Sequence, residues 1–211
     1  MYRHTVFDFK QATITVRPDI GAVYNRFWRH LANPGGSLTG GQRVSVAAVA
    51  RGGIAEADGL PLEISQLARH LMHDPATVGS ENVRSAADAA GEAATVETIA
   101  IISQLSAVDS FHAALGIPTE SLPSPVDGAA TGDVVEGLKR RRTHVPMPAG
   151  PIPVALDLVP AEGRMLEALA GPQYMTYDEM ALNDFRRTPG LDRSQMELIS
   201  SRESFHNECF Y

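Results

Sequence analysis

The chain has 211 residues, is 44% hydrophobic and carries a net charge of -7, so it can form one or two domains with hydrophobic cores. The negative charge argues against nonspecific binding to nucleic acid or to membrane surfaces. Its one cysteine excludes an internal disulfide framework and is typical of a reducing compartment.

The N-terminal part is predicted to be helical, because its apolar residues recur three or four positions apart. Aromatic residues make up only 6% of the chain, which favours packed helices over a sheet sandwich. A short strand is considered only at Thr13–Val16. The predicted helices are Asp19–Asn33, a helix capped by Ser37 or Thr39 that runs through Ala50, Leu62–Met72, Asn82–Ala90 and Thr95–Leu115.

A proline-rich stretch divides the chain. Eight of the 14 prolines fall between Pro118 and Pro160. Proline has no amide donor and a fixed φ, so this stretch should be irregular or extended. We therefore expect a helical part over residues 1–116, a Pro/Gly-rich connector over 117–156 and a second helical part over 157–211.

The C-terminal part contains three further predicted helices. One is Ala161–Ala170, ending at Gly171-Pro172, and a short one is Tyr177–Phe185. The third begins at Asp192, a good N-cap, and Gln195 at the third helical position completes a pattern close to a capping box.

Two passages align without gaps at an offset of 153 residues. Leu38 aligns with Leu191, Thr39 with Asp192, Gln42 with Gln195 and Val46 with Ile199. The alignment indicates an internal repeat, but the start signals of any two capped helices would produce similar matches. Both explanations are retained.

The sequence predicts a soluble, cytoplasmic protein. Its first ten residues contain no apolar segment of the kind found in signal peptides. The longest apolar stretches, Val44–Ala50 and Ile99–Val108, are shorter than the roughly 20 residues that cross a bilayer.

The lone thiol of Cys209 is the main candidate for chemistry. A thiol reacts as the thiolate, and the sequence offers His206 as the only cation close to Cys209. A thiol that reduces peroxides also needs a second thiol or selenol to return from the sulfenic acid. This chain contains no second cysteine.

The residues around Cys209 carry a resemblance to a known family. The chain resembles the alkylhydroperoxidase D/carboxymuconolactone decarboxylase family over Leu191–Ile199 and the following Asn207-Glu208-Cys209-Phe210-Tyr211. The family motif is a glutamate, eleven residues, and then Cys-x-x-Cys-x-x-x-His. Glu197 and Cys209 are separated by eleven residues. By position, Glu197 matches the proton-relay acid and Cys209 the first redox cysteine, while the second cysteine and the histidine would be residues 212 and 216.

The resemblance also implies a fold and an activity. Leu38–Arg51 and Thr95–Gly116 resemble a degenerate first repeat without cysteines, and Leu156–Met175 is similar to longer two-repeat members. The expected fold is all-α and alkylhydroperoxidase D-like, with a second repeat that starts at residue 157. The expected activity is thiol-dependent hydroperoxide reduction with a dithiol reductant, in a homo-oligomer without a cofactor or metal.

Two other functions remain open. One is a noncatalytic helical remnant or interaction subunit of the same family. The other is the decarboxylase branch, which uses no cysteine pair, although the Asn-x-Cys-x-Tyr ending weighs against it.

The interrupted motif affects the expected activity. Twelve residues of continuous helix would place Glu197 and Cys209 about 18 Å apart, so the relay requires a break near Ser204–Asn207 or a bridging group. The family includes selenocysteine members, and a recoded UGA or an artefactual stop after Tyr211 is favoured over a nonsense remnant. We expect the 211-residue form to turn over hydroperoxide hardly at all.

His70 and His73 are three residues apart and could share a helix face with a metal. No third ligand stands at a sensible spacing, and surface histidines are common. We therefore expect no metal site there.

Overall fold

The protein is all-helical over the residues that its structure, a computed structural model, describes: 7–55, 59–150, 152–186 and 190–206. Within these ranges there is no β-strand, only an isolated antiparallel bridge between Arg186 and Asp192. The α-helices are α1 (Pro18–Ala32), α2 (Gly40–Ala50), α3 (Leu62–His73), α4 (Ser80–Ala90), α5 (Glu92–Leu115), α6 (Pro160–Gln173), α7 (Tyr177–Met180) and α8 (Arg193–His206). Short 3₁₀ turns lie at Pro75–Thr77 and Ile152–Leu156.

The five helices predicted in the N-terminal part are confirmed, each within a few residues of its predicted bounds. Helix α2 begins with a capping box, in which the Thr39 hydroxyl accepts from the Gln42 amide and the Gln42 side chain accepts from the Thr39 amide. Helix α5 ends at Gly116, which adopts a left-handed conformation with φ of 67°. The strand considered at Thr13–Val16 is wrong, since no partner strand lies beside it in the described residues.

Helix α5 is the central element of the core. It packs against α1, α2, α3, α4 and α6. Ile101, Leu105 and Val108 on α5 are fully buried, and Phe27 and Leu31 of α1 join the same cluster. Burial of apolar surface of this kind stabilises the fold by roughly 25 cal/mol per Å².

Helix α5 is also the one described helix that is long and apolar enough to cross a membrane, by length and composition. Helices at the centre of a packed core share this length and composition, and several α5 side chains lie in the core cluster.

The Pro/Gly-rich connector contains no helix or strand over residues 117–150, as predicted, but it is bonded to the helical bundle. Backbone amides of Val126, Thr131 and Gly132 donate to the carbonyl groups of Ala32, Gly35 and Gly36 over 2.8, 2.8 and 3.0 Å. The Trp28 indole donates to the Ser121 carbonyl at 2.9 Å. The connector therefore covers the turn between α1 and α2.

Helix α6 belongs to the same core. Its Met165 and Leu169 are buried in the cluster formed by the N-terminal helices. The helix does not stop at Gly171-Pro172 as predicted but continues to Gln173. A proline removes one amide donor, yet the next donors continue the ladder, and the Tyr174 amide bonds to the Ala170 carbonyl at 2.7 Å.

Helix α7 covers only Tyr177–Met180, so the prediction of a helix to Phe185 is too long. The carbonyl groups of Met180 and Leu182 instead accept hydrogen bonds from the Arg193 guanidinium over 2.5 and 2.7 Å. These bonds join the end of α7 and Leu182 to the start of α8.

Helix α8 lies at the periphery. The predicted capping box is confirmed, because the Gln195 amide bonds to Asp192 and the Asp192 amide to Gln195, each over 3.0 Å. Only Met196 is buried, whereas Leu198, Ile199 and Phe205 are 72%, 57% and 71% exposed. Helices α2 and α8 thus begin in the same register of the proposed repeat, but only α2 buries its apolar face.

Candidate functional site

The two residues predicted from the resemblance have different outcomes in the structure. Cys209 lies outside the described residues. Glu197 lies on α8 with its side chain 43% exposed. Of the two predicted residues, Glu197 is therefore the one whose contacts the structure describes.

The Glu197 carboxylate is held by two donors. The Tyr174 hydroxyl donates to one oxygen at 3.0 Å, and Arg193, one turn earlier on α8, pairs with the other oxygen at 3.2 Å. Partial burial and the bond to Glu197 raise the pKa of the Tyr174 phenol. The phenol therefore remains a hydrogen-bond donor throughout the neutral range. This arrangement orients the carboxylate while leaving it open to solvent.

Helix α8 continues through Ser204 to His206. The break expected near Ser204–Asn207 is therefore not found at Ser204–His206, and Asn207 lies outside the described residues. His206 lies nine positions after Glu197 on this helix, a rise of about 13.5 Å. The described residues bring no second acid or base of the predicted site to Glu197.

A different cluster of charged side chains lies inside the helical bundle. Arg43 of α2, Glu97 of α5 and Glu162 of α6 are all fully buried. One guanidinium nitrogen, Nη1 of Arg43, pairs with Oε1 of Glu97 and, at 2.7 Å, with Oε1 of Glu162. Two carboxylates therefore share one cation in the core.

The Glu97 end of this cluster is built by the turn before α2. The other carboxylate oxygen of Glu97 accepts the backbone amides of Ser37 and Leu38 over 2.8 and 3.2 Å. Gly35 lies directly against the ion pair, and a β-carbon at this position would stand 2.6 Å from Cδ of Glu97. A glycine is required here because the backbone approaches the pair so closely.

The Glu162 end reaches toward solvent through His30 of α1. Nε2 of His30 lies 2.8 Å from Oε1 of Glu162, and the His30 side chain is 21% exposed. The buried Gln104 of α5 donates to Oε2 of Glu162 at 3.3 Å. We define Arg43, Glu97, Glu162, His30 and Gln104 as the buried charge cluster, which joins α1, α2, α5 and α6.

The carboxylates of the buried charge cluster have opposite pKa shifts. Burial raises the pKa of Glu97 above its ordinary value despite the nearby Arg43 charge. Burial also opposes ionisation of Glu162, but the bonds and charges of His30 and Arg43 outweigh it and lower that pKa. Burial alone would lower the pKa of Arg43, and the two carboxylates raise it instead.

No set of three metal-ligating side chains is arranged around an ion site within the described ranges. His70 instead bonds to the Thr77 hydroxyl at 2.6 Å, and His73 is exposed at the end of α3.

The sequence did not predict that the residues of the buried charge cluster would meet.

The geometry defines an all-helical protein with a buried charge cluster and an oriented glutamate on its last described helix. Comparison with known proteins yields no matching family model, curated protein or solved structure. The assignment of a function therefore depends on the residues of this chain and on the resemblance that they carry.

Proposed function

We propose that this chain is a thiol-dependent hydroperoxide reductase of the alkylhydroperoxidase D-like helical type, with Cys209 as a redox residue and Glu197 as the proton-relay acid. The observation that carries the proposal is the oriented Glu197 carboxylate, which eleven intervening residues separate from the only cysteine. The resemblance supplies the reaction, and the all-helical architecture agrees with it at the level of fold class.

The proposed chemistry begins with the Cys209 thiolate. Its sulfur attacks the distal oxygen of a hydroperoxide, the O–O bond breaks, and the leaving alkoxide takes a proton from the relay. The products are an alcohol and the Cys209 sulfenic acid. A dithiol then reduces the sulfenic acid, releasing water through a mixed disulfide and ending as its own disulfide. The reductant supplies both thiols, because the chain holds one cysteine.

The structure limits how Glu197 can serve this reaction. Because α8 is continuous to His206, proton transfer over its length needs a bridging water or side chain. We expect such a group to carry the proton during a single oxidation of Cys209, whereas turnover should be very slow because the chain contains no second cysteine to resolve the sulfenic acid. The proposed setting is the cytoplasm, with no nucleic-acid or membrane partner, as the net charge of -7 favours.

Single-turnover oxidation tests the proposal. We expect a hydroperoxide to oxidise Cys209 faster than free cysteine, with the sulfenic acid trapped by dimedone and located by mass spectrometry. Glu197→Gln should slow this oxidation about tenfold or more, since a general acid contributes roughly 10²–10⁴-fold when fully effective. Cys209→Ser should give no adduct.

Glu203→Gln is the matched control, because Glu203 is an exposed glutamate on the same helix. Its oxidation rate should equal that of the unmodified chain. A Cys209 that reacts no faster than free cysteine would disprove the proposal, and equal rates for Glu197→Gln and Glu203→Gln would remove Glu197 from it.

A specific observation favours a second candidate, a noncatalytic interaction subunit. Helix α8 presents Leu198, Ile199 and Phe205 to solvent and buries only Met196. Exposed apolar patches of this kind mark protein interfaces. The expected occupant is another copy of this chain, since the resemblance implies a homo-oligomer.

Replacing Leu198 and Phe205 together by serine should shift the chain toward the monomer in analytical ultracentrifugation. Burial of each large apolar side chain contributes roughly 1.5–3 kcal/mol, so the dissociation constant should rise by about 100-fold or more. Ile54→Ser is the control, because Ile54 is 81% exposed but lies outside α8. A monomeric parent chain, or equal dissociation constants for both variants, would contradict this candidate.

A further inference from the structure

The buried charge cluster has unequal numbers of positive and negative groups. Arg43 supplies one positive charge, and Glu97 and Glu162 supply two negative charges when both are ionised. All three side chains are fully buried. With His30 neutral, the interior would therefore hold one uncompensated negative charge, which is strongly unfavourable in a low-dielectric core.

Dipoles compensate this charge only in part. The amides of Ser37 and Leu38 bond to Glu97, and Glu162 lies in the first turn of α6, where the helix dipole favours an anion. These are partial charges, and their effect is smaller than the desolvation of a full charge. One additional proton would bring the cluster to neutrality.

We propose that the buried charge cluster is a proton-binding site that exchanges its proton with solvent through His30 and that thereby makes the docking of α6 depend on pH. His30 is the member of the cluster that reaches solvent, and its Nε2 lies 2.8 Å from the Glu162 oxygen that also binds Arg43. A protonated His30 donates to Glu162 and completes a neutral set of two cations and two anions.

The charged and titratable groups around His30 come from each helix packed against α1. Glu162 faces it from α6, Arg43 lies behind Glu162 on α2, and Glu97 is the further carboxylate on α5. On α1 itself, Arg26 and Arg29 are exposed. The raised pKa of Glu97 agrees with a cluster that favours an extra proton.

The proposal concerns α6 because Glu162 is the residue by which that helix enters the cluster. Loss of the proton leaves Glu162 and Glu97 competing for Arg43, so the ionic contact of α6 weakens. Met165 and Leu169 still bury α6 in the core, and the expected response is a graded loss of stability. The proposal does not involve Cys209 and is independent of the proposed activity.

The direction of the pH effect follows from proton counting. Neutrality of the buried core requires the folded cluster to hold one proton more than the same side chains hold in the unfolded chain at neutral pH. The folded state then binds more protons than the unfolded state, so the equilibrium constant for unfolding rises with pH. One proton corresponds to a rise of up to about tenfold per pH unit.

Urea unfolding between pH 6 and 8.5 tests the proposal, with circular dichroism as the readout. In the unmodified chain we expect the unfolding constant to rise toward that tenfold limit. His30→Gln removes the exchanging group, and Glu162→Gln makes the cluster neutral without a proton. Both variants should therefore lose most of the pH dependence. His73→Gln, at an exposed histidine, is the control and should retain it.

Hydrogen exchange adds a local readout. After correction for the intrinsic rate, amides of α6 should lose protection with rising pH in the unmodified chain but not in His30→Gln. A pH-independent unfolding constant in the unmodified chain would overturn the proposal. Retention of the full dependence in His30→Gln would overturn the assignment of His30 as the exchanging group. If either variant fails to fold, the other variant and the unmodified chain still decide whether the cluster holds an exchangeable proton.

Discussion

Arg43→Met is expected to lower the free energy of unfolding by about 3–5 kcal/mol, because it leaves two buried carboxylates without their shared cation. Domains of this kind have a free energy of unfolding of only about 5–15 kcal/mol, so the variant should lose a large fraction of its stability at 37 °C. Urea denaturation followed by circular dichroism measures the change. Arg84→Met, at an exposed arginine on α4, should change stability by no more than about 0.5 kcal/mol.

A charge-neutral background separates lost attraction from lost packing. In a chain that carries Glu97→Gln and Glu162→Gln, the further change Arg43→Met should cost much less, because no carboxylate then remains unpaired. An equal cost in both backgrounds would mean that Arg43 acts through its packing volume, and the electrostatic account of the cluster would have to be abandoned.

Gly35→Ala is expected to be the second strongly destabilising change, at about 3 kcal/mol or more. Its methyl group would overlap the Glu97 carboxylate and the Arg43 guanidinium, with its carbon 2.6 Å from Cδ of Glu97. Neither partner can withdraw without breaking the buried ion pair.

Gly79→Ala is a suitable comparison, because its nearest contact would be Asn82 at 3.8 Å and its φ is negative. We expect this variant to cost less than about 1 kcal/mol, the usual effect at a helix N-cap. Thermal or urea unfolding of the two variants measures the difference. Similar losses at both glycines would show that the contact with the ion pair does not matter.

The helices were predictable from sequence where local signals determine them. Apolar spacing located α1 to α5. The start of α2 was predicted only as Ser37 or Thr39, whereas Asp192 with Gln195 marked the start of α8. The end of α6 was misplaced, because Gly171-Pro172 is a stop signal only when no later hydrogen bonds continue the ladder. Local sequence rules do not describe this competition between a stop signal and the continuing helical hydrogen bonds.

The buried charge cluster was not predictable in the same way. A signal was present, since Glu97 and Gln104 stand in one α5 stripe with the buried Ile101 and Val108, at spacings of four, three and four. Such a stripe shows that polar groups point inward. It does not identify Arg43 and Glu162 as their partners, because those lie on other helices, and pairing at long range depends on the tertiary packing.

Glu197 was predicted from the family motif, and its orientation by Tyr174 and Arg193 was not. Tyr174 comes from the end of α6, so its approach depends on how the chain turns between α6 and α8. The role of Glu197 as a proton relay stays a prediction, whereas the structure shows the hydrogen-bond donors to its carboxylate.

The connection between α6 and the N-terminal helices has a consequence for synthesis on the ribosome. Glu162 bonds to Arg43 and His30 across 119 and 132 residues of sequence. A ribosome adding about 5–20 residues per second needs roughly 2–10 s between the end of α5 and Glu162. During that interval Glu97 is the only carboxylate of the cluster that can pair with Arg43. The apolar surface that α6 will cover is exposed, so chaperones can bind it. The nascent N-terminal helices should therefore complete their folding late, when α6 leaves the exit tunnel.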